Sequence, residues 1–280
     1  MRDSCLIPAN GLSARLGDAR LAIVDCRFEL GNPGQGRRLY DAGHIPGALF
    51  ASMDDDLAGP VLPATGRHPL PAPEDFSRAL AGWGIETHTP VVAYDQGHGA
   101  GAARLWWLLR AIGHTAPVQV LDGGIAAWTA AGLPLSTEGT QRAATQVTPR
   151  PFAGWLTAAQ VAEGLDAGSI QLVDARGADR FAGQNETIDP VAGHVPGALN
   201  RPFLQNLGPD GCFKRAEVLR HEWSALLGHE EGSQVVAMCG SGITACQNLL
   251  ALEVAGLAGG RLYAGSWSEW IRDPSRPVAP

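Results

Sequence analysis

Cys239-Gly240-Ser241-Gly242-Ile243-Thr244 places one thiol, two glycines and two hydroxyls within six residues, directly after the apolar run Val235–Met238. Glycine tolerates positive φ, so this backbone can curl and turn successive N–H groups inward as an anion-binding nest at the start of a helix. A cradle of that kind favours a thiolate. Helix N-termini can lower a cysteine's pKa from about 8.5 into the range of roughly 3.5–7.5, which makes the sulfur a nucleophile at neutral pH. The competing reading is a structural cysteine buried at a strand end. It leaves the two glycines flanking Ser241 without a reason.

Other chemistries on this loop fail on their required partners. A cysteine-dependent phosphatase needs an arginine six positions after the cysteine to fork onto phosphate; that position is Ala245. Cys246, the next residue, lies seven positions after Cys239, about two helical turns' worth of chain, and reads as core packing rather than a resolving thiol. The five cysteines, at 5, 26, 212, 239 and 246, include no C-x-x-C pair. No metal site is expected, and the natural reading is free thiols in a reducing cytosol.

The elements that must position Cys239 come in two copies. LAIVDCRFE and DAGHIPGALF near residues 21–50 return as IQLVDARGA and VAGHVPGALN near 170–200. Asp25 and Asp174 are 149 positions apart, and His44 and His194 are 150 apart. PVVAYDQGHGAGAARLWWLL parallels QVVAMCGSGITACQNLLAL, and LDGGIAAW parallels YAGSWSEW. Four matched blocks in one order describe a duplicated domain, each copy large enough to bury its own core. Each half alternates short apolar runs (Leu21–Asp25, Val91–Tyr94, Val118–Leu121; Gln171–Asp174, Val235–Met238, Arg261–Tyr263) with helical stretches such as Ala100–Ile112 and Thr244–Ala255. That pattern predicts an α/β fold, two tandem domains each with a mainly parallel sheet flanked by helices. The polar, proline-ended stretch STEGTQRAATQVTPRP reads as a linker, giving domains at 1–138 and 152–280 joined by 139–151.

Equivalent positions that differ are the informative ones. Where the second half has Cys239, the first has Asp95, followed by Gln-Gly-His-Gly-Ala-Gly. Gly97-His98-Gly99-Ala100-Gly101-Ala102 matches G-x-G-x-x-[GA] loosely, but it sits mid-domain, and the repeat explains it as the relic of an active loop rather than a dinucleotide site. His44 and His194, in the shared G-H-[IV]-P-G-A turn, read as architecture, as do Arg27 and Arg176 beside the strand-end aspartates. Trp106, Trp107, Trp128, Trp267 and Trp270 fall in or beside repeated apolar blocks and are expected in the cores.

Composition excludes several classes of partner. With 45% apolar and 18% charged residues the chain is a globule, not a disordered tail. A net charge of −7 and no basic run longer than Arg37-Arg38 leave nothing to build a phosphate-tracking groove, so no nucleic acid is expected. Apolar runs such as Ala102–Ile112 are broken by Arg104 and Arg110, so no membrane span is expected, and Met1–Leu12 lacks the apolar stretch of an export signal. A cytoplasmic location is the expectation.

The repeated V-D-x-R and G-H-[IV]-P-G-A blocks, the six-residue cysteine loop confined to the second half and the closing G-x-W-x-x-W resemble the tandem-domain rhodanese-like sulfurtransferases over nearly the whole chain. The resemblance implies a catalytically silent first domain. It also implies that Cys239 takes a sulfane sulfur from a small donor, holds it as a persulfide and passes it to cyanide or to a thiol such as thioredoxin or glutathione, without metal or organic cofactor. Thiosulfate-type members often carry cationic residues after the cysteine. This loop has none, and C-G-S-G-[VI]-T resembles the 3-mercaptopyruvate type. In that type the loop serine, a histidine and an acid assist proton movement, which maps onto Ser241, His68 and Asp54. Gly240, Gly242, Ile243 and Thr244 complete the loop that binds the transferred sulfur, and Arg180 matches one of two arginines that hold the donor's carboxylate. The second has no counterpart in the shorter, acidic Gln184–Pro190. The resemblance places the site in a cleft between the domains. Three further readings follow from the same residues: a thiosulfate sulfurtransferase, a persulfide-carrying module for a protein partner, and a thiol peroxidase or arsenate reductase using Cys246 as resolving thiol.

Overall fold

The structure, a computed structural model, describes residues 5–228 and 231–280, so the first four residues of the N-terminal stretch read above lie outside it. The chain forms two compact units. One runs through Gly59, Leu70–Ala153 and Pro209–Phe213; the other comprises Pro60–Pro69, Gly154–Gly208 and Lys214–Pro280. Ten residues from the first half of the sequence therefore belong to the unit that carries Cys239.

The N-terminal unit contains β1 (Leu6–Ile7), α1 (Ala9–Ser13), β2 (Ala22–Asp25), α2 (Gln35–Ala42), β3 (Ala48–Phe50), α3 (Pro73–Gly82), β4 (Val91–Tyr94), α4 (Ala100–Ala111), β5 (Val118–Leu121) and α5 (Gly124–Ala130). Its sheet has the order β1-β5-β4-β2-β3, every pairing parallel. Both faces of such a sheet are covered, which is why β2 and β4 are uninterrupted buried runs rather than alternating ones. The C-terminal unit contains α6 (Ala158–Asp166), β6 (Gln171–Asp174), α7 (Ala178–Phe181), β7 (Leu199–Asn200), a 3-10 turn (Phe203–Asn206), α8 (Ala216–Leu227), β8 (Val235–Met238), α9 (Thr244–Val254), β9 (Arg261–Leu262) and α10 (Ser266–Trp270). Its parallel order, β7-β6-β8-β9, repeats β3-β2-β4-β5, and where β1 lies against β5 a single parallel bridge joins Trp155 to Leu262. Trp106, Trp107, Trp128, Trp267 and Trp270 are all buried, as expected. Among the described residues no helix is long and apolar enough to cross a membrane.

The shared motifs perform the same structural task in each copy. His44 stacks on Tyr40 at 3.9 Å with Nδ1 on the Tyr40 carbonyl; His194 stacks on Phe181 at 3.9 Å with Nδ1 on the Phe181 carbonyl. Both backbones form an antiparallel bridge to the segment that closes their unit, His44 with Ser136 and His194 with Ala279. Those closing segments are held by Trp128 and Trp270, whose Nε1 atoms donate to the carbonyls of Pro134 and Pro277. The stretch read as a linker is strapped to the N-terminal unit: Arg142 donates to the Ala19 and Leu21 carbonyls, Thr145 N to Ala81 O and Ala153 N to Ala111 O.

Beneath each sheet end lies a buried ion pair, Asp25 with Arg27 and Asp174 with Arg176, each at 2.7 Å. The guanidinium of Arg176 also donates to the Gly193 carbonyl, which ties β6 to the G-H-V-P-G-A turn. Removing one partner of such a pair strands the other charge in the interior, so Asp174→Ala is expected to lower stability by about 3–5 kcal/mol in urea unfolding.

Candidate active site

Cys239 is the first residue after β8, at the carboxyl end of the parallel strands, where open α/β sheets bind ligands. Only 2% of it is exposed. The N–H groups of Gly242 and Ser241 donate to its Sγ at 3.0 and 3.4 Å. Gly242 has φ +83°, and a Cβ there would lie 2.4 Å from the Ala264 carbonyl oxygen, so both conformation and space demand glycine. Ile243 is buried and Thr244 opens α9; they set the course of the chain while Ser241 and Gly242 supply the sulfur's two hydrogen bonds. Cys246, fully buried, donates its S–H to the Gly242 carbonyl at 3.2 Å and packs in the core.

The loop is held from below by residues that the sequence reading treated only as repeated apolar blocks. Cys239 N donates to Ser266 Oγ at 3.0 Å, Trp267 N to Cys239 O at 2.9 Å and Ser268 N to Gly240 O at 3.0 Å. Ser266 has φ 54°, a conformation few side-chain-bearing residues adopt. Its counterpart in the repeat is Gly124, at φ 56°. A serine standing where the other copy has glycine was the signal that could have found it.

In the N-terminal unit the same cradle holds a carboxylate. Asp95 accepts from the N–H groups of Gly97, Gly99 and Gly101 at 2.9, 3.0 and 2.9 Å, and Ile125 N donates to Asp95 O at 2.9 Å just as Trp267 N does to Cys239 O. The glycine-rich stretch after β4 is thus a nest filled by the side chain of its own first residue.

Of the sequence-predicted residues, the C-terminal unit gathers Cys239, Ser241, His68 and Arg180. His68, only 5% exposed, hydrogen-bonds through Nδ1 to Ser241 Oγ at 2.8 Å. Arg180, on α7, uses Nε and Nη2 on the Glu186 carboxylate at 2.8–3.2 Å and Nη2 on Asp189 at 3.2 Å. Both its terminal nitrogens lie 3.8 Å from the point a Gly240 Cβ would occupy. Burial raises the Glu186 carboxyl, but hydrogen bonds from Arg180 and from the N–H groups of Asp189 and Ile188 more than offset this and hold it below the usual range. Asp189 behaves oppositely: burial pushes it up against the pull of Arg67 and Arg180.

Arg67, which no sequence motif singles out, reaches the same corner. Its Nη1 is paired with Asp189, and its Nη2 lies 2.8 Å from the would-be Gly240 Cβ. Asp54 belongs to the N-terminal unit, exposed in the turn after β3, where partial burial and the neighbouring Asp55 raise its carboxyl.

A family model described as the rhodanese-like domain matches residues 9–131 and 157–273. The chain belongs to the tandem-domain rhodanese-like sulfurtransferase family. Among relatives of this rhodanese-like chain, a probable 3-mercaptopyruvate sulfurtransferase of Pseudomonas aeruginosa is 48% identical, covering 100% of this chain and 99% of that protein. A putative thiosulfate sulfurtransferase of Mycobacterium tuberculosis is 40% identical, covering 99% and 97%. The solved 3-mercaptopyruvate sulfurtransferase from Leishmania major superposes with a TM-score of 0.85 at 32% identity, covering 98% of this chain and 77% of that one.

The nest geometry gives a direct test in this rhodanese-like protein. Gly242→Ala keeps the N–H but, with a Cβ forced against the Ala264 carbonyl at φ +83°, must shift the loop and draw that donor off the sulfur, weakening a hydrogen bond worth about 1.5–3 kcal/mol to an ionised sulfur. Iodoacetamide labelling of Cys239, followed by mass spectrometry at pH 7.5, should slow about tenfold or more.

Proposed function

We propose that this protein is a sulfurtransferase that moves the sulfur of 3-mercaptopyruvate through a Cys239 persulfide to cyanide or a thiol acceptor. The observation that carries this reading is the convergence on one loop of a sulfur with two backbone donors, a Ser241–His68 hydrogen bond and an arginine beside Gly240. The identity and coverage of the 3-mercaptopyruvate sulfurtransferases similar to it support the same donor.

In the first half-reaction the Cys239 thiolate attacks the donor sulfur. The donor's C–S bond breaks, its electron pair passes to carbon as the enolate of pyruvate, and the donor's thiol proton ends on that carbon. Pyruvate leaves and Cys239 carries the persulfide anion. Ser241 is the hydroxyl placed to pass the proton, with His68 as its partner. Asp54 enters as the acid on family resemblance. The N–H groups of Ser241 and Gly242 are already oriented toward negative sulfur, so little reorganisation is needed as charge moves to the outer atom. Arg180 holds the donor's carboxylate. In the second half-reaction cyanide attacks the outer sulfur, the S–S bond breaks toward Cys239, and thiocyanate leaves with the thiolate restored. A thiol such as glutathione or thioredoxin takes the outer sulfur by the same displacement.

Steady-state thiocyanate formation tests the assignment. With mercaptopyruvate, kcat/KM should exceed that with thiosulfate by about tenfold or more, a gap of about 1.4 kcal/mol at the transition state. Cys239→Ser should be inactive. Ser241→Ala and His68→Gln should lower kcat about a hundredfold, the scale of a lost proton-transfer step. A preference for thiosulfate would keep the nucleophile and remove the donor; absence of Cys239-dependent turnover with either donor would favour a persulfide carrier for a protein partner.

A further inference from the structure

The polar stretch that closes the N-terminal unit lines a cavity of about 750 Å³, none of whose residues the sulfur chemistry uses. Its walls come from the turn between α1 and β2, the chain between α3 and β4, and residues 142–145. Ligand pockets occupy roughly 300–1,000 Å³, so the space suits a small molecule. The closing stretch is fastened in place. Thr145 N donates to the Ala81 carbonyl at 3.0 Å, and at Gly84, with φ +64°, a Cβ would lie 2.6 Å from the Ala143 carbonyl oxygen.

Three arginines and a histidine, scattered through the sequence at 15, 20, 142 and 88, line this cavity beside two acids, Asp18 and Glu86. The acids are taken up in exposed pairs, Arg20 with Asp18 at 3.2 Å and His88 with Glu86 at 3.1 Å, an arrangement that contributes little stability. Arg15 and Arg142 make no salt bridge among the described residues. Neutral oxygens position them instead. Arg15 Nη1 donates to Gln119 Oε1 at 3.2 Å, and Arg142 Nη1 to the Ala19 and Leu21 carbonyls at 3.1 and 2.9 Å. Such acceptors fix a guanidinium without cancelling its charge. The Asp18 carboxyl is held below its usual range by Arg20 and, more weakly, by Arg15, so both charges reach one wall. Arg142 Nε and Thr145 Oγ1 are buried with no hydrogen-bond partner among the described residues, an uncommon state for polar atoms in a folded chain.

We propose that this cavity is a binding site for a small phosphate-bearing molecule, whose dianionic tetrahedral group is bound by Arg15 and Arg142. Two uncancelled guanidiniums match a double negative charge, and their planar forks offer several N–H donors to its oxygens. Because Arg142 stands on the closing stretch, the ligand also fastens that stretch to the unit it closes.

Calorimetric titration of the full-length protein with inorganic phosphate, at an ionic strength held constant with chloride, tests the site without turnover. Saturable binding with a Kd of about 1 mM or tighter is expected. Arg15→Gln and Arg142→Gln should each weaken it about fivefold or more, the effect of one lost charge-assisted hydrogen bond. Arg142 also caps two backbone carbonyls, so Arg15→Gln, which gives up only the contact with Gln119, carries the test if Arg142→Gln fails to fold. Asp18→Asn removes a competing anion from the wall and should tighten phosphate. Glycerol 3-phosphate should bind at least as tightly as phosphate, and acetate about tenfold or more weakly. Lack of saturable binding up to about 10 mM phosphate, or acetate binding as tightly as phosphate, overturns the proposal. So does an affinity unchanged in Arg15→Gln, which would put the anion elsewhere, the nest at Cys239 included.

Discussion

A backbone that turns its N–H groups inward must be given an anion. Both halves of this protein build such a nest where a central strand of the sheet, β4 or β8, gives way to a helix, and the two halves meet its demand differently. Asp95 brings a carboxylate that accepts from three glycine N–H groups. Cys239 brings a sulfur with two N–H donors, and a sulfur can take on a second sulfur and remain an anion. A carboxylate and a thiol are thus two ways of meeting one electrostatic constraint, and the parallel sheets and capping turns around them are held in common.

The supporting shell follows from that constraint. The loop must curl tightly, which requires glycine at 242, and its outer carbonyls and N–H groups must be satisfied after it has curled. The segment 265–268 meets this need with Ser266 and Ser268, at the cost of a strained φ at Ser266 that the N-terminal copy avoids with Gly124. Strain of this kind persists only where the surroundings over-determine it, and here the Cys239 N–H, the Tyr263 carbonyl and the Trp267 N–H on either side do so.

Much of this was legible in the sequence because duplication prints the architecture twice. Strands such as Val91–Tyr94, Gln171–Asp174 and Val235–Met238 emerge as read, since parallel strands buried on both faces leave uninterrupted apolar runs. The tandem α/β fold and its family follow from that repetition, and the nest around Cys239 follows from glycine chemistry. Arg67 was not legible. Its place beside Gly240 depends on a chain crossing that joins residues 60–69 to a sheet more than a hundred positions away, and no local pattern encodes that. The pairing of Glu186 and Asp189 with the arginines was hidden for the same reason: acidic residues in a loop look like solvated charge until the fold buries them.

The membership of residues 60–69 in the C-terminal unit changes what the duplication means. Ten residues from the first half of the sequence, 60–69, complete the unit that carries Cys239. A gene divided between the repeats would deliver the sulfur, its nest and Arg180, but neither His68 nor Arg67. The surroundings of Cys239 are therefore not contained in the second repeat, because the chain threads His68 and Arg67 into them from the first half of the sequence.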